Sequence, residues 1–101
     1  MNKFSRIITQ AKHRGAAQAM FYALPKFNNK ADLNKAQIGI GACWWEGNPC
    51  NAHLNNYSKK IAQVIDSKNM VGLQFNTIGV SDGMTMGTSG MNFSLPSREM
   101  I

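Results

Sequence analysis

Two residues of this sequence have side chains suited to chemistry in a distinctive local setting, Cys50 in GNPCNAH and Asp82 in GVSDG. A cysteine thiolate ligates soft metals or acts as a nucleophile, whereas a carboxylate oxygen suits a hard ion such as Mg²⁺. Cys50 and Asp82 are therefore the candidate functional residues.

The residues beside Cys50 favour an ionised thiol. If Asn48 is the N-cap of the following helix, Pro49 takes the first helical position and Cys50 lies in the first turn. Exposed amides and the helix dipole favour a thiolate there. Nucleophilic catalysis would need His53 as the nearby base, but no clear third member of such a site is present.

A metal site at Cys50 needs further ligands. Cys43 and Cys50 are too far apart for a C-x2-C hook, and Cys43 falls in an apolar segment where packing in a strand is the favoured role. Either Cys50 is structural, or its partner ligands lie on residues outside this chain. Asp82 also has two interpretations, since Asp-Gly is a common turn pair.

Hydrophobic periodicity predicts the elements that position these residues. We expect a helix over residues 15–24 that ends at Pro25, a polar connection over 26–35, and a buried strand over 37–44. A helix over 51–67 and a strand over 71–76 follow. The helix is expected to bury one apolar face, formed by Leu54, Tyr57, Ile61, Val64 and Ile65.

The last part of the chain is rich in glycine. Residues 79–91 predict a long shaped loop without regular structure, and Pro96 marks the first position of a final helix with Glu99 in its first turn. The order of helices and strands indicates an α/β layer with a parallel strand pair.

Composition narrows the function classes. The chain has 101 residues, a net charge of +6 and two cysteines. Its basic residues are not interleaved with aromatic ones, which argues against a nucleic-acid partner, and no apolar run reaches the ~18 residues of a membrane span.

Residues 1–24 are basic like a transit peptide, although a first helix is the favoured interpretation. We expect an intracellular protein with reduced cysteines, cytoplasmic or, if the source is a eukaryote, organellar.

Three segments closely resemble the N-terminal part of the dihydroxy-acid dehydratase family. They are WWEGNPCNAH at 44–53, FNTIGVSDGM at 75–84 and MGTSGMNFSLPSREMI at 86–101. The resemblance extends from about Arg14 to the last residue. It implies that residues 1–101 are the N-terminal portion of one layered α/β catalytic domain, without an internal boundary and incomplete at its C-terminus.

The resemblance also implies an activity and its cofactors. Family members convert 2,3-dihydroxy-3-methylbutanoate and its homologue to 2-oxo acids with loss of water, in the biosynthesis of valine, isoleucine and leucine. They use an iron-sulfur cluster, with 2Fe-2S favoured here and 4Fe-4S as the alternative, and Mg²⁺. A small-molecule substrate and a homodimer of the full-length protein are the expected partners.

At the positions that match the family's motifs, the resemblance implies that Cys50 is a ligand of the iron-sulfur cluster and that Asp82 is a ligand of Mg²⁺. Asn48, Asn51 and His53 are candidates for the groups that surround the cluster ligand, and a place as a half-buried helix residue is an equally favoured interpretation of His53. The catalytic base, the other two cluster cysteines, a modified lysine and the remaining acidic metal ligands are expected beyond Ile101, so we expect the chain alone to be inactive.

The sequence departs from the family at Trp45, where Asn is usual, at Ala42-Cys43, where small hydroxyl residues are frequent, and at Asn92, where Arg is common. These departures bear on substrate preference more than on reaction type. Alternative functions are a sugar-acid dehydratase of the same superfamily, a non-catalytic remnant, and a small basic module that binds an anionic partner.

Overall fold

The computed structural model describes residues 2–101, which form short helices around a two-stranded sheet. The helices are α1 (Arg6–Thr9), α2 (Gly15–Phe21), α3 (Leu54–Ser67), α4 (Asp82–Thr85) and α5 (Ser94–Glu99), and the strands are β1 (Gln37–Ala42) and β2 (Val71–Asn76). Single 3₁₀ turns cover Lys12–Arg14, Asp32–Asn34, Pro49–Asn51 and Ser89–Phe93.

The two strands are parallel, with Gln37 opposite Val71 and Ala42 opposite Asn76. Helix α3 connects them, as a parallel pair requires, because its strands cannot be joined by a tight hairpin. The predicted α/β class and the parallel pair are confirmed.

Helix α3 lies close to the sheet because small residues form the contact. A Cβ atom added at Gly72 would lie 3.0 Å from the Cα of Ala62. Asp66, near the C-terminal end of α3, accepts a hydrogen bond from the Gly72 amide at 3.0 Å and pairs with Lys26 at 2.8 Å. These contacts join the end of the helix to the start of β2.

The buried face predicted for α3 is wrong in part. Ser58 and Ala62 are buried, whereas Tyr57, Ile61 and Val64 are 56%, 48% and 60% exposed. The sheet is only two strands wide, so it covers one edge of the apolar stripe and leaves the other edge open.

Several predicted boundaries are also wrong. Helix α2 ends at Phe21 instead of residue 24, because the chain continues in tighter turns in which the Ala23 and Leu24 amides bond to carbonyls three residues earlier. Strand β1 ends at Ala42 instead of residue 44, so Cys43 follows the strand. The regular part of α3 begins at Leu54, after a separate 3₁₀ turn.

The glycine-rich segment contains regular structure, contrary to the prediction. Ser81 caps α4 by accepting a hydrogen bond from the Met84 amide, and Thr88 caps the next turn by accepting one from the Gly90 amide. Helix α5 begins at Ser94, which makes Pro96 its third residue and Glu99 its last. A proline fits the first turn because amides there have no partner within the helix.

A small core packs beneath the start of the sheet, where Phe27, Leu33 and Val71 are buried and contact Phe21 and Leu73. The Phe21 and Phe27 rings meet edge to face, with centroids 4.9 Å apart. The polar connection over 26–35 thus supplies core residues. Across residues 2–101, no helix is both long enough and apolar enough to cross a membrane.

Candidate functional site

A small cleft lies just past the carboxyl ends of the two strands. Its volume is ≈ 90 Å³, and its lining includes Asn48, Cys50, Asn51, Ser81, Asp82 and Arg98. In a parallel pair both carboxyl ends meet at one edge, so the loop after β1 and the loop after β2 face each other there. The two candidate functional residues therefore lie in the same cleft.

Asn48 orients the backbone at Cys50. Its side chain is 2% exposed, and its Oδ1 accepts a hydrogen bond from the Cys50 amide at 3.1 Å. Pro49 takes the first position of the short turn that follows. Asn48 is therefore a cap, as predicted, but it caps the 3₁₀ turn Pro49–Asn51 and not α3 itself.

The Cys50 thiol is exposed to the cleft and lies 3.1 Å from the Ser81 hydroxyl. That hydroxyl, followed by the Gly83 amide, lowers the pKa of the Cys50 thiol, although the nearby Asp82 charge opposes the shift. A thiolate has no proton to donate, so Ser81 and Gly83 act as donors to the ionised sulfur. The predicted thiolate character of Cys50 rests on these contacts.

Asp82 begins α4 and lies beside α5. The Ser94 hydroxyl donates to Oδ1 of Asp82, and Arg98 Nη2 lies 3.0 Å from the same oxygen. The Ser94 hydrogen bond and then the Arg98 charge lower the pKa of the Asp82 carboxyl group. Asp82 is therefore ionised at neutral pH, as a metal ligand must be.

The two loops are joined by hydrogen bonds. The Gly79 carbonyl accepts one from Asn48 Nδ2 at 3.1 Å and one from Trp45 Nε1 at 2.9 Å. Asn51 Nδ2 donates to the Cys43 carbonyl at 2.7 Å. The two bonds to Gly79 join residues more than thirty positions apart, whereas the Asn51 bond lies within the loop after β1.

The other candidate residues have different positions. Asn51 lines the cleft, whereas His53 is exposed and packs edge-on against the Tyr57 ring, with centroids 5.3 Å apart. Cys43 also lines the cleft, and its sulfur lies 3.1 Å from the Thr77 hydroxyl. The expectation that Cys43 packs within the strand is wrong because the strand ends one residue before it. The roles of Asn48, Asn51 and His53 around a cluster stay predictions.

Sequence reasoning missed Ser81, Ser94 and Arg98. The position of Ser81 directly before Asp82 is a signal for a helix cap, which would have placed its hydroxyl at the start of α4. No local signal pairs Asp82 with Ser94 and Arg98, because those residues lie twelve and sixteen positions later.

Within residues 2–101, no group of three or more His, Cys, Asp or Glu side chains could hold a metal ion. The cleft is lined by two cysteines, Cys43 and Cys50, and by one carboxylate, Asp82. Each would complete a metal site only with ligands from elsewhere.

The chain belongs to the dihydroxy-acid/6-phosphogluconate dehydratase family, whose N-terminal model matches residues 35–101. That match includes β1, β2 and every residue of the cleft.

Individual relatives are similar to the whole chain. It is 52% identical over all 101 residues to the mitochondrial dihydroxy-acid dehydratase of Saccharomyces cerevisiae. It is 50% identical to the dihydroxy-acid dehydratase of Francisella tularensis and to the mitochondrial one of Schizosaccharomyces pombe. The chain spans only 17% to 18% of the length of these relatives.

Proposed function

We propose that this chain is the N-terminal part of a dihydroxy-acid dehydratase, a hydro-lyase. The substrates are 2,3-dihydroxy-3-methylbutanoate and its homologue, and the products are the 2-oxo acids of valine, isoleucine and leucine biosynthesis. The observation that carries the proposal is the shared cleft, where an exposed Cys50 thiol and an ionised Asp82 open into the same space. Identity near 50% to proteins named dihydroxy-acid dehydratase supports this substrate class over sugar acids.

The donor chemistry of the cleft fits an iron-sulfur cluster, with 2Fe-2S favoured, together with Mg²⁺. A thiolate with a lowered pKa is the ligand that iron-sulfur clusters require, and a carboxylate is the ligand that Mg²⁺ prefers. When bound, the two groups would supply Lewis-acid activation of the departing hydroxyl and of the substrate carboxylate.

The residues of this chain hold and orient those ligands. Ser81 and the Gly83 amide lower the pKa of the Cys50 thiol and so favour its ionised form, and Asn48 fixes the backbone from which this side chain projects. Ser94 and Arg98 keep the Asp82 carboxylate charged and limit its rotation. Binding and orientation are the contributions we assign to these residues, and the full-length protein is proposed to be a homodimer.

A chimeric enzyme tests the proposal. In it, this chain replaces the aligned 101 residues of the Saccharomyces cerevisiae relative. We expect the chimera to restore growth without valine and isoleucine to a yeast strain lacking that relative. The purified chimera should contain iron and form the 2-oxo acid from 2,3-dihydroxy-3-methylbutanoate.

Two variants of the chimera test the site residues. Cys50→Ser should abolish both iron content and turnover. Asp82→Asn should spare the iron but weaken the dependence of turnover on Mg²⁺. Asp66→Asn is the matched control, because Asp66 lies outside the cleft and the amide oxygen still accepts the Gly72 hydrogen bond. A Cys50→Ser chimera that keeps iron and activity would contradict the proposal, as would an unchanged Mg²⁺ titration for Asp82→Asn.

A further inference from the structure

The Gly79 carbonyl is the point at which the two loops of the cleft meet. Its oxygen accepts hydrogen bonds from Trp45 Nε1 at 2.9 Å and from Asn48 Nδ2 at 3.1 Å. We call these two contacts the Gly79 clamp. We propose that Trp45 is a positioning residue that acts through this clamp to set the separation between the Cys50 thiol and the Asp82 carboxylate. The inference rests on the proposed function, which assigns those two groups as ligands.

The clamp joins the two chain segments that directly precede the ligands. Asn48 precedes Cys50 by two positions and bonds to its amide, while Gly79 precedes Asp82 by three positions on the opposite loop. A carbonyl oxygen has two lone pairs, and two donors that use both of them restrict its movement in two directions. The clamp therefore couples the backbone before Cys50 to the backbone before Asp82.

The side chain of Trp45 is held in the orientation that the clamp needs. Its ring covers the backbone of Gly47, where an added Cβ atom would lie 1.8 Å from a ring carbon. No side chain larger than hydrogen fits at Gly47 unless the indole moves. The Trp45 ring is half-exposed and adds little to the core. It contacts Gly47 through its ring carbons and Gly79 through its N–H group.

The two donors of the clamp differ in what else they do. Asn48 is buried and also bonds to the Cys50 amide, so its loss would disturb the turn at Cys50 directly. Trp45 reaches the clamp with its side chain from a half-exposed position, while its backbone carbonyl accepts a hydrogen bond from the Asn48 amide at 3.1 Å, a contact that a change of side chain leaves in place. A change at Trp45 can therefore test how the clamp positions the two ligands without disturbing the folding of the turn at Cys50.

The test is Trp45→Phe in the chimera, which keeps an aromatic side chain at this position and removes the N–H donor. Trp44→Phe is the matched control, because it makes the same chemical change one residue away from the clamp. We expect Trp45→Phe to keep the iron content, the thermal midpoint and KM. It should lower kcat about fivefold, as expected for one lost hydrogen bond. It should also weaken, by a similar factor, the binding of Mn²⁺, which replaces Mg²⁺ as the probe and is followed by electron paramagnetic resonance.

Two results would overturn the inference. If Trp45→Phe matches Trp44→Phe in both kcat and Mn²⁺ affinity, the clamp does not position the ligands. If Trp45→Phe instead loses iron and thermal midpoint together, Trp45 has only a structural role. Either result leaves the proposed function intact, since that function is tested by the activity and iron content of the parent chimera and by the Cys50→Ser and Asp82→Asn variants.

Discussion

At the scale of single residues, the Cys50 thiol is controlled by opposing electrostatic effects. The Ser81 hydroxyl and the Gly83 amide lower its pKa, whereas partial burial and the Asp82 charge raise it. The lowering effects dominate: the Ser81 hydroxyl lies 3.1 Å from the sulfur, and the opposing Asp82 charge is itself paired with Arg98. The thiolate is thus stabilised beside an acidic group.

Ser81→Ala should raise the pKa of the Cys50 thiol. The hydroxyl stabilises the ionised sulfur, so its loss moves the pH midpoint of Cys50 alkylation upward. The measurement is the iodoacetamide reaction rate against pH, followed at the Cys50 peptide by mass spectrometry in the chimera stripped of metals by a chelator.

Ser89→Ala is the control for that measurement, because Ser89 is exposed and lies outside the cleft lining. An alkylation midpoint that Ser81→Ala leaves unchanged or lowers would show that the hydroxyl does not control the thiol.

At the scale of elements, the contact between α3 and β2 depends on small residues. The Ala62 backbone and side chain lie against Gly72, so helix and strand approach more closely than two larger residues would allow. Leu54 and Ile65 of α3 are half-buried, whereas the rest of the apolar stripe points away from the sheet. Close approach at one point thus stabilises a narrow interface.

Gly72→Ala should destabilise the isolated chain by about 1–3 kcal/mol, since the added methyl group must push helix and strand apart. Gly15→Ala is the control, because a Cβ there meets no atom within 4 Å and α2 begins at that position. It should be neutral or stabilise by up to about 1 kcal/mol. Urea unfolding followed by circular dichroism measures both, and equal effects of the two changes would contradict the packing argument.

At the scale of the whole molecule, the chain is extended and exposes much apolar surface. Its radius of gyration is 17.6 Å, whereas a compact domain of this size has about 13 Å. The two-stranded sheet has no further strand on either edge within residues 2–101. Parallel sheets are ordinarily covered on both faces, so this surface favours association.

Ile61→Lys should reduce self-association of the isolated chain, because Ile61 is 48% exposed at the centre of the open stripe on α3. Gln63→Lys is the control, because it adds the same charge at an exposed polar position of the same helix. Comparing the two variants distinguishes the loss of an apolar contact from charge repulsion as the cause of reduced self-association. Sedimentation velocity should show a lower weight-average mass for Ile61→Lys than for Gln63→Lys. Equal masses would mean that the stripe is not the contact surface.

Local sequence determined the main elements and the two candidate ligands. Helix α3 and strands β1 and β2 follow from hydrophobic periodicity, and the cap at Cys50 follows from Asn48 and Pro49, which lie within two residues of it. Interactions of such short range can be predicted because the residues involved are already adjacent in the chain.

Only the tertiary structure decided which groups surround those ligands. Ser81 at Cys50, Ser94 and Arg98 at Asp82, and Gly79 under Trp45 and Asn48 are contacts between distant positions. The width of the sheet likewise decided which residues of the apolar stripe on α3 are half-buried and which are exposed. These features depend on how the loops and layers meet in space, and no local pattern of residue types encodes that geometry.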